Sequence, residues 1–422
     1  MADSPRDPNP EASPDPIDVA IVGGGANGLY LACLLAQRGI GVTVLERRGA
    51  IADRPRAFGI HPAALAALDA VGVGDEVRAQ ALVLEGGSFA TSAGREVAVS
   101  FAPPARPGPV VLDQRIIERM LERRLADLTP SALRRGDAVA TVTPHTDRVE
   151  LALDAAGGAV VARCVVLADG VNGALAETLF GPLRPRGPSR WYAMAEADAT
   201  PEDDGAPDSP DHHARLVAAR DGIVESFPVP GARRRWVVWR ASDAPVSVDD
   251  FRMLVRDRAH ASVGRIHGSV AVFRAQSRGR RHIARGRLAL VGDSAAAVSP
   301  IGGQGLALGW SAARVLADSI EQGLSVGSFR WAAYRRVVRR LFARARHRSA
   351  FFMRMGDPVA GRDLLRRGAA AVLGAPFCRP LARRLVVADA PLRDRPVGED
   401  EAGCARGVQS RPVGKFIYGV PP

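Results

Sequence analysis

Lysine is almost missing from this 422-residue chain: of its 57 basic side chains, only Lys415 is a lysine. Chemistry that depends on a lysine amine is thereby all but excluded. Cysteine is scarce too. Cys33, Cys164, Cys378 and Cys404 are scattered, with no Cys-x-x-Cys and no Cys/His cluster at ligand spacing. Neither a zinc site nor a disulfide framework is indicated, no metal is expected, and a reducing cytoplasm is the simple reading. No segment offers the roughly 18 consecutive apolar residues of a membrane span. Residues 1–16 are rich in Pro and Asp and lack the apolar core of a signal peptide.

What is present is a globular composition, 47% hydrophobic, with length for two or three domains. After the leader, an apolar run at 17–22, glycines, an apolar stretch at 29–36 and β-branched alternation at 41–45 read as βαβ, the way a parallel sheet begins. Helices are predicted from Pro62 to about Leu68, from Gln114 to Leu125 and over 306–320. Strands are predicted near 138–142, 149–153, 160–168 and 288–291. Aromatics are few, yet Trp191, Tyr192, Phe227, Trp236 and Trp239 gather in alternating segments around a Pro- and Asp-rich loop at 200–209, which reads as an inserted β-rich domain.

Charge is unevenly spread. Residues 326–390 carry 15 Arg against 3 Asp, which accounts for the whole +12 of the chain. Within them Trp331, Tyr334, Val338, Leu341 and Ala345 repeat at helical spacing while Arg335, Arg336, Arg339, Arg340 and Arg344 take other faces, a basic amphipathic helix. Three readings stay open: a solvated helix packed on the rest of the protein, peripheral contact with anionic membrane lipid, or nucleic-acid binding. The last is the weakest, because no recognition motif accompanies the charge, and no nucleic acid is expected as a partner.

The run Gly23, Gly24, Gly25, Ala26, Asn27, Gly28 supplies Gly-x-Gly-x-x-Gly directly after a strand and before a helix, with Glu46 and Arg47 at the end of the next strand. Such glycines permit a tight turn, close approach of backbone to a pyrophosphate and close helix–strand packing. The acidic residue accepts hydrogen bonds from a ribose. By itself the motif does not choose between NAD and FAD.

A second run does. GRLALVGDSAAAVSPIGGQGLALGW, residues 286–310, resembles the class A flavoprotein monooxygenases, the FAD-dependent aromatic hydroxylases of the p-hydroxybenzoate hydroxylase type. In that family a Gly-Asp pair, here Gly292 and Asp293, binds the ribityl chain of FAD. A turn matching Pro300, Gly302, Gly303, Gln304, Gly305 and Leu306 sets backbone amides against the flavin ring. VVLADGVNG, residues 165–173, resembles the family's Asp-Gly motif, with Asp169 touching flavin and nicotinamide sites. LDQRIIERML, residues 112–121, resembles the helix whose Gln114 and Arg115 lie along the adenosine half. Arg56 stands where the family carries an arginine near the FAD phosphates. A solvated arginine and, for His61, a simple helix flank before Pro62 remain open. Departures exist: Ser294, Ala295 and Ala296 follow Asp293 where hydroxylases often read Ala-Ala-His, and Ala307 follows Leu306 where many have Asn.

The resemblance implies an α/β fold: a Rossmann-like FAD-binding domain with a parallel sheet (17–180 and 286–325), an inserted, mostly antiparallel β substrate domain (181–285), and a helical C-terminal region (326–390) with a partly flexible tail (391–422). It further implies that NAD(P)H reduces FAD, and that O2 then delivers one oxygen, through a flavin C4a-hydroperoxide, to an electron-rich aromatic substrate. No side chain is nominated as acid or base. The chain ends before a thioredoxin-like C-terminal domain, which points to the shorter hydroxylases of phenols, quinols and polyketides. A lipophilic small-molecule aromatic substrate is expected, in a cytoplasmic monomer or dimer that could touch a membrane peripherally. An FAD-dependent reductase of prenyl double bonds and a non-catalytic basic binder are the alternatives. The near absence of lysine argues against the related flavin halogenases.

Overall fold

The computed structural model describes residues 16–52, 57–91, 96–101, 108–154, 158–200, 212–300 and 303–355. Of the expected site residues, Arg56 and Gly302 lie outside these segments.

The first apolar run becomes the strand Ile17–Val22, whose residues from Val19 onward are buried. It pairs in parallel with Val42–Glu46 on one side and Ala159–Leu167 on the other. Leu133–Arg135 and Leu288–Leu290 continue the parallel order outward. Strands covered on both faces must be apolar nearly throughout, which is why these segments read as short continuous runs rather than alternations. The meander Val139–Pro144 and Val149–Leu153 joins this sheet antiparallel to Ala159–Leu167. Helices Ala26–Ala36, Gln114–Leu128 and Gly305–Val326 cover one another and the sheet. Trp310, fully buried, donates its indole N–H to the carbonyl of Ala26 at 3.1 Å, so the last motif's helix is tied to the first glycine turn.

A second eight-stranded sheet is antiparallel except at one junction. Its core strands are Arg184–Asp198, His213–Ala219, Gly222–Val229, Arg233–Arg240 and Ile266–Gly279. The exception is the parallel pairing of His213–Ala219 with Gly86–Thr91, which brings Glu96–Ser100 with it from far upstream. Side-chain alternation divides the sheet. On one face Ala193, Trp236 and Val238 pack with Phe251 and Val255 of the helix Val248–Ala259. On the other, Tyr192, Ile223 and Val237 meet Phe352 and Met353 of the C-terminal helix. A small third sheet, Ala57–Ile60, Val110–Asp113 and Leu82–Val83, lies in the remaining layer.

The basic helix runs Ala332–Met355, and its apolar stripe is consumed by docking. Trp331, Tyr334, Val338 and Ala345 are buried, the Tyr334 hydroxyl donates to the Leu290 carbonyl, and the Trp331 indole donates to Gly286 at 2.8 Å. Arg336, Arg339, Arg340 and Arg344 are exposed. The apolar stripe is therefore spent on packing, chiefly against Gly305–Val326 and the second sheet, while the more distal arginines of 356–390 lie outside the described residues. No described helix is long and apolar enough to cross a membrane.

Candidate functional site

The glycine turn separates two roles by geometry. A Cβ built on Gly28 would sit 1.9 Å from the Gly23 carbonyl oxygen, so this glycine is required by the approach of helix to strand. A Cβ on Gly25 would meet nothing nearer than a Glu118 oxygen at 3.9 Å, and the Gly25 φ of −83° suits any residue. Protein packing does not explain Gly25. It opens onto a polar cleft of about 920 Å3 that it shares with Gly23, Ala26 and Asn27, and a backbone meant to touch a ligand is what calls for glycine there.

Glu46 and Arg47 form the cleft's next wall. The Glu46 carboxylate accepts from the Gly24 amide at 2.7 Å and from the Arg48 amide and guanidinium at 3.0 and 2.9 Å. Burial works against its charge, but these hydrogen bonds prevail and hold it below the usual carboxylate range. Gln114 and Arg115 follow on the helix capped by Asp113, whose carboxylate accepts from the Arg115 amide at 2.9 Å and holds its guanidinium at 2.8–3.2 Å. Sequence reasoning missed Glu118. It lines the cleft, accepts from Gln114 Nε2 at 2.8 Å, and reaches the Ala26 amide at 3.3 Å, one turn along from the expected pair.

Asp169 follows Ala159–Leu167, the strand beside Ile17–Val22, Asp293 follows Leu288–Leu290, the next strand outward, and both line the cleft. The Asp169 carboxylate is turned inward: it accepts from the Ala176 amide at 3.0 Å and from the Ser294 hydroxyl at 2.8 Å, while that hydroxyl accepts from the Gly170 amide at 2.7 Å. Ser294 is fully buried, so the residue that departs from the hydroxylase pattern is the bolt between the Asp-Gly and Gly-Asp motifs. Ser294→Ala would strand the half-buried Gly170 amide and loosen Asp169. We expect a loss of about 1–2 kcal/mol in urea unfolding, with a lower flavin content in the purified variant. An unchanged urea midpoint would count against the bolt.

Pro300, Gly303, Gln304, Gly305 and Leu306 close the cleft, and the Gly303 amide donates to the Pro300 carbonyl at 2.9 Å. Gly292 stands behind, where its missing side chain makes room for Asn27, 2.4 Å from a built Cβ. The Gln304 Nε2 is buried with no hydrogen-bond partner among the described residues. A buried donor of this kind needs an acceptor, and together with the open Gly25 backbone and the amide-bearing starts of two helices it fits FAD, which has anionic phosphates and acceptor atoms on its ring.

The turn at Pro300 and Gly303 has a second side. It also lines an apolar cavity of about 230 Å3, walled by Leu84, Phe89, Val99, Phe101 and Phe227. Of the five aromatics gathered in the inserted sheet, Phe227 alone lines it, while Trp236 and Tyr192 are core residues. The polar side chains on its walls include His61, which precedes the first turn of Pro62–Ala70 without a side-chain capping bond, and also Glu225 and Arg348. Glu225 was not foreseen. Ile223, Glu225 and Phe227 take one phase of the strand Gly222–Val229, so an acid occupies a position that alternation gives to apolar residues.

A family model described as FAD binding domain matches residues 16–328. The chain is 29% identical over 344 residues to 12-dehydrotetracycline 5-monooxygenase/anhydrotetracycline 6-monooxygenase of Streptomyces rimosus subsp. rimosus, covering 74% of this chain and 62% of that protein. It is 31% identical over 330 residues to 6-methylpretetramide 4-monooxygenase of Streptomyces rimosus, covering 73% and 56%. Among solved structures, OxyS anhydrotetracycline hydroxylase from Streptomyces rimosus aligns with a TM-score of 0.67 at 27% identity, over 88% of this chain and 76% of that one. The chain thus spans 56–62% of the length of these curated relatives.

Proposed function

This chain belongs to the FAD-binding-domain family, and from that premise we propose that it is an FAD-dependent monooxygenase that uses NAD(P)H and O2 to hydroxylate a small, lipophilic aromatic substrate of the phenol, quinol or polyketide kind. One observation carries the reading: a polar cleft suited to FAD and an apolar cavity suited to a ring system share the turn at Pro300 and Gly303. Ligands commonly sit in such crevices between layers. The names of the similar proteins, monooxygenases of tetracycline-type molecules, support the same chemistry.

Bound FAD supplies the redox chemistry, taking electrons from NAD(P)H and activating O2. The chain's own residues bind, orient and exclude water. The Gly25–Asn27 backbone receives the pyrophosphate at a helix start, where amides and dipole favour an anion. Glu46 takes ribose hydroxyls, Arg115 and Gln114 flank the adenosine half, and Asp293 holds the ribityl chain. Amides from Gly303 to Leu306 face the ring, where fixed donors stabilise negative charge without reorganising. The Leu84, Phe89, Phe101 and Phe227 walls keep water from the reacting carbon.

The test is the purified protein's absorbance, then NAD(P)H and oxygen consumption across a panel of phenols and quinols, then product mass. Flavin in the protein, consumption stimulated by a phenol and a product heavier by one oxygen atom are expected. Protein that cannot take up FAD overturns the reading. A product gaining only hydrogen assigns the chain to the double-bond reductases instead.

A further inference from the structure

The apolar cavity contains one group that its walls do not explain. Glu225 projects from the middle of Gly222–Val229, with Leu216 opposite it on one neighbouring strand and Val237 on the other. The side chain is enclosed by protein, and its partial exposure is onto the cavity. Among the described residues it has no hydrogen-bond or ion-pair partner. Burial alone pushes its carboxyl up to about 7.

Two of the charged groups around it are committed elsewhere. Arg235, on the same face, is paired with Glu196 and lies 5.9 Å from the centroid of the Phe227 ring. Arg215 reaches the Ala259 carbonyl of the helix on the sheet's other face at 3.4 Å. Arg348 comes from the basic helix, and His61 stands at the turn end, its Nε2 3.6 Å from a Cβ built on Gly303. A lone carboxyl kept in an apolar cavity costs stability unless a ligand uses it. The serines lining the cavity, Ser88 and Ser226, are too weakly basic to take a proton.

We propose that Glu225 is the general base of this protein, accepting the proton of an aromatic hydroxyl on a substrate seated in the apolar cavity. The inference rests on the hydroxylase reading above and specifies its substrate class: a mostly apolar ring system bearing one ionisable hydroxyl directed at the Gly222–Val229 strand. In the step, the substrate O–H bond breaks, the proton passes to a Glu225 oxygen, and the electron pair remains on the substrate oxygen. Nothing is oxidised or reduced. The resulting phenolate carries more electron density at its ortho and para carbons, where oxygen is then accepted. A carboxyl titrating near neutrality suits the task, being ionised often enough to act and basic enough to take the proton.

The test uses FAD-loaded parent, Glu225→Gln and Glu225→Asp, with 4-nitrophenol as probe because its neutral and ionised forms absorb at different wavelengths. Difference spectra follow the bound probe from pH 5 to 9. Two acids that share one site cannot both ionise freely, so the parent's bound probe should complete its ionisation at a pH at least about one unit higher than in Glu225→Gln. Glu225→Asp should fall between the two. Identical titrations in parent and Glu225→Gln would overturn the assignment, as would failure of the flavin-loaded parent to bind the probe. Failure of the FAD reading itself shows separately, as colourless protein before any probe is added. Glu225→Gln removes an unpartnered charge and keeps the shape, so misfolding does not cloud the comparison.

Discussion

Gly25→Ala should fold as stably as the parent and hold FAD at least about 100-fold more weakly, because the added methyl meets no protein atom closer than ordinary contact yet stands where backbone must approach a pyrophosphate. Gly28→Ala should behave in the opposite sense. Its methyl would lie 1.9 Å from the Gly23 carbonyl oxygen, so helix and turn must part before any cofactor is involved. We expect a loss of roughly 3 kcal/mol or more, the scale of an overpacked core. Urea midpoints of the FAD-free proteins and FAD titration by fluorescence quenching read the two effects separately. If Gly25→Ala bound FAD like the parent, the placement of the pyrophosphate at this turn would be wrong.

Glu225→Gln should stabilise the protein at alkaline pH and leave it unchanged in acid. The native carboxyl titrates at about 7 against 4.5 for the free group. Below 4.5 it is neutral in both folded and unfolded chains and has no effect. Between the two values the folded protein binds a proton that the unfolded chain has released, so stability falls as pH rises and levels off above 7. Discounted for water in the cavity, the shift corresponds to about 2–3 kcal/mol at pH 8. The difference between the two urea midpoints should therefore grow from near zero at pH 4.5 to its full size by pH 8. A difference that did not vary with pH would mean that the carboxyl is solvated. A gain in stability on losing a functional group is the usual trade at an active site.

The contrast between cleft and cavity shows which parts of the site a sequence can disclose. Gly23 to Gly28, Asp169 and Gly292 to Leu306 are legible because each serves a local backbone geometry, a tight turn after a strand, and so leaves a short pattern at one place in the chain. The resemblance that the Gly286 to Trp310 run carried is matched by the family and fold found here. Ser294 shows the limit of pattern matching: read as a departure, it turns out to join two motifs 125 residues apart in the chain. Which residues wall the cavity was not legible. Its walls come from segments scattered between Gly59 and Phe352, and it exists only because Gly86–Thr91 pairs in parallel with His213–Ala219, a long-range register with no local signal. Glu225 did leave a trace, an acid in the apolar phase of a strand. Without the register that trace could not be told from an edge-strand charge.

The turn closed by the Gly303 amide and Pro300 carbonyl is wall to both chambers, and this makes it a point of thermodynamic linkage. A guest on either side presses on the same few backbone atoms. If a ring in the apolar chamber tightens or loosens the hold on the dinucleotide, the dinucleotide must alter the affinity for that ring by the same factor. The two binding events are then reciprocal. Each reports on the other, and an inhibitor shaped for the apolar chamber would be felt as a change in cofactor retention without touching the cofactor's own contacts.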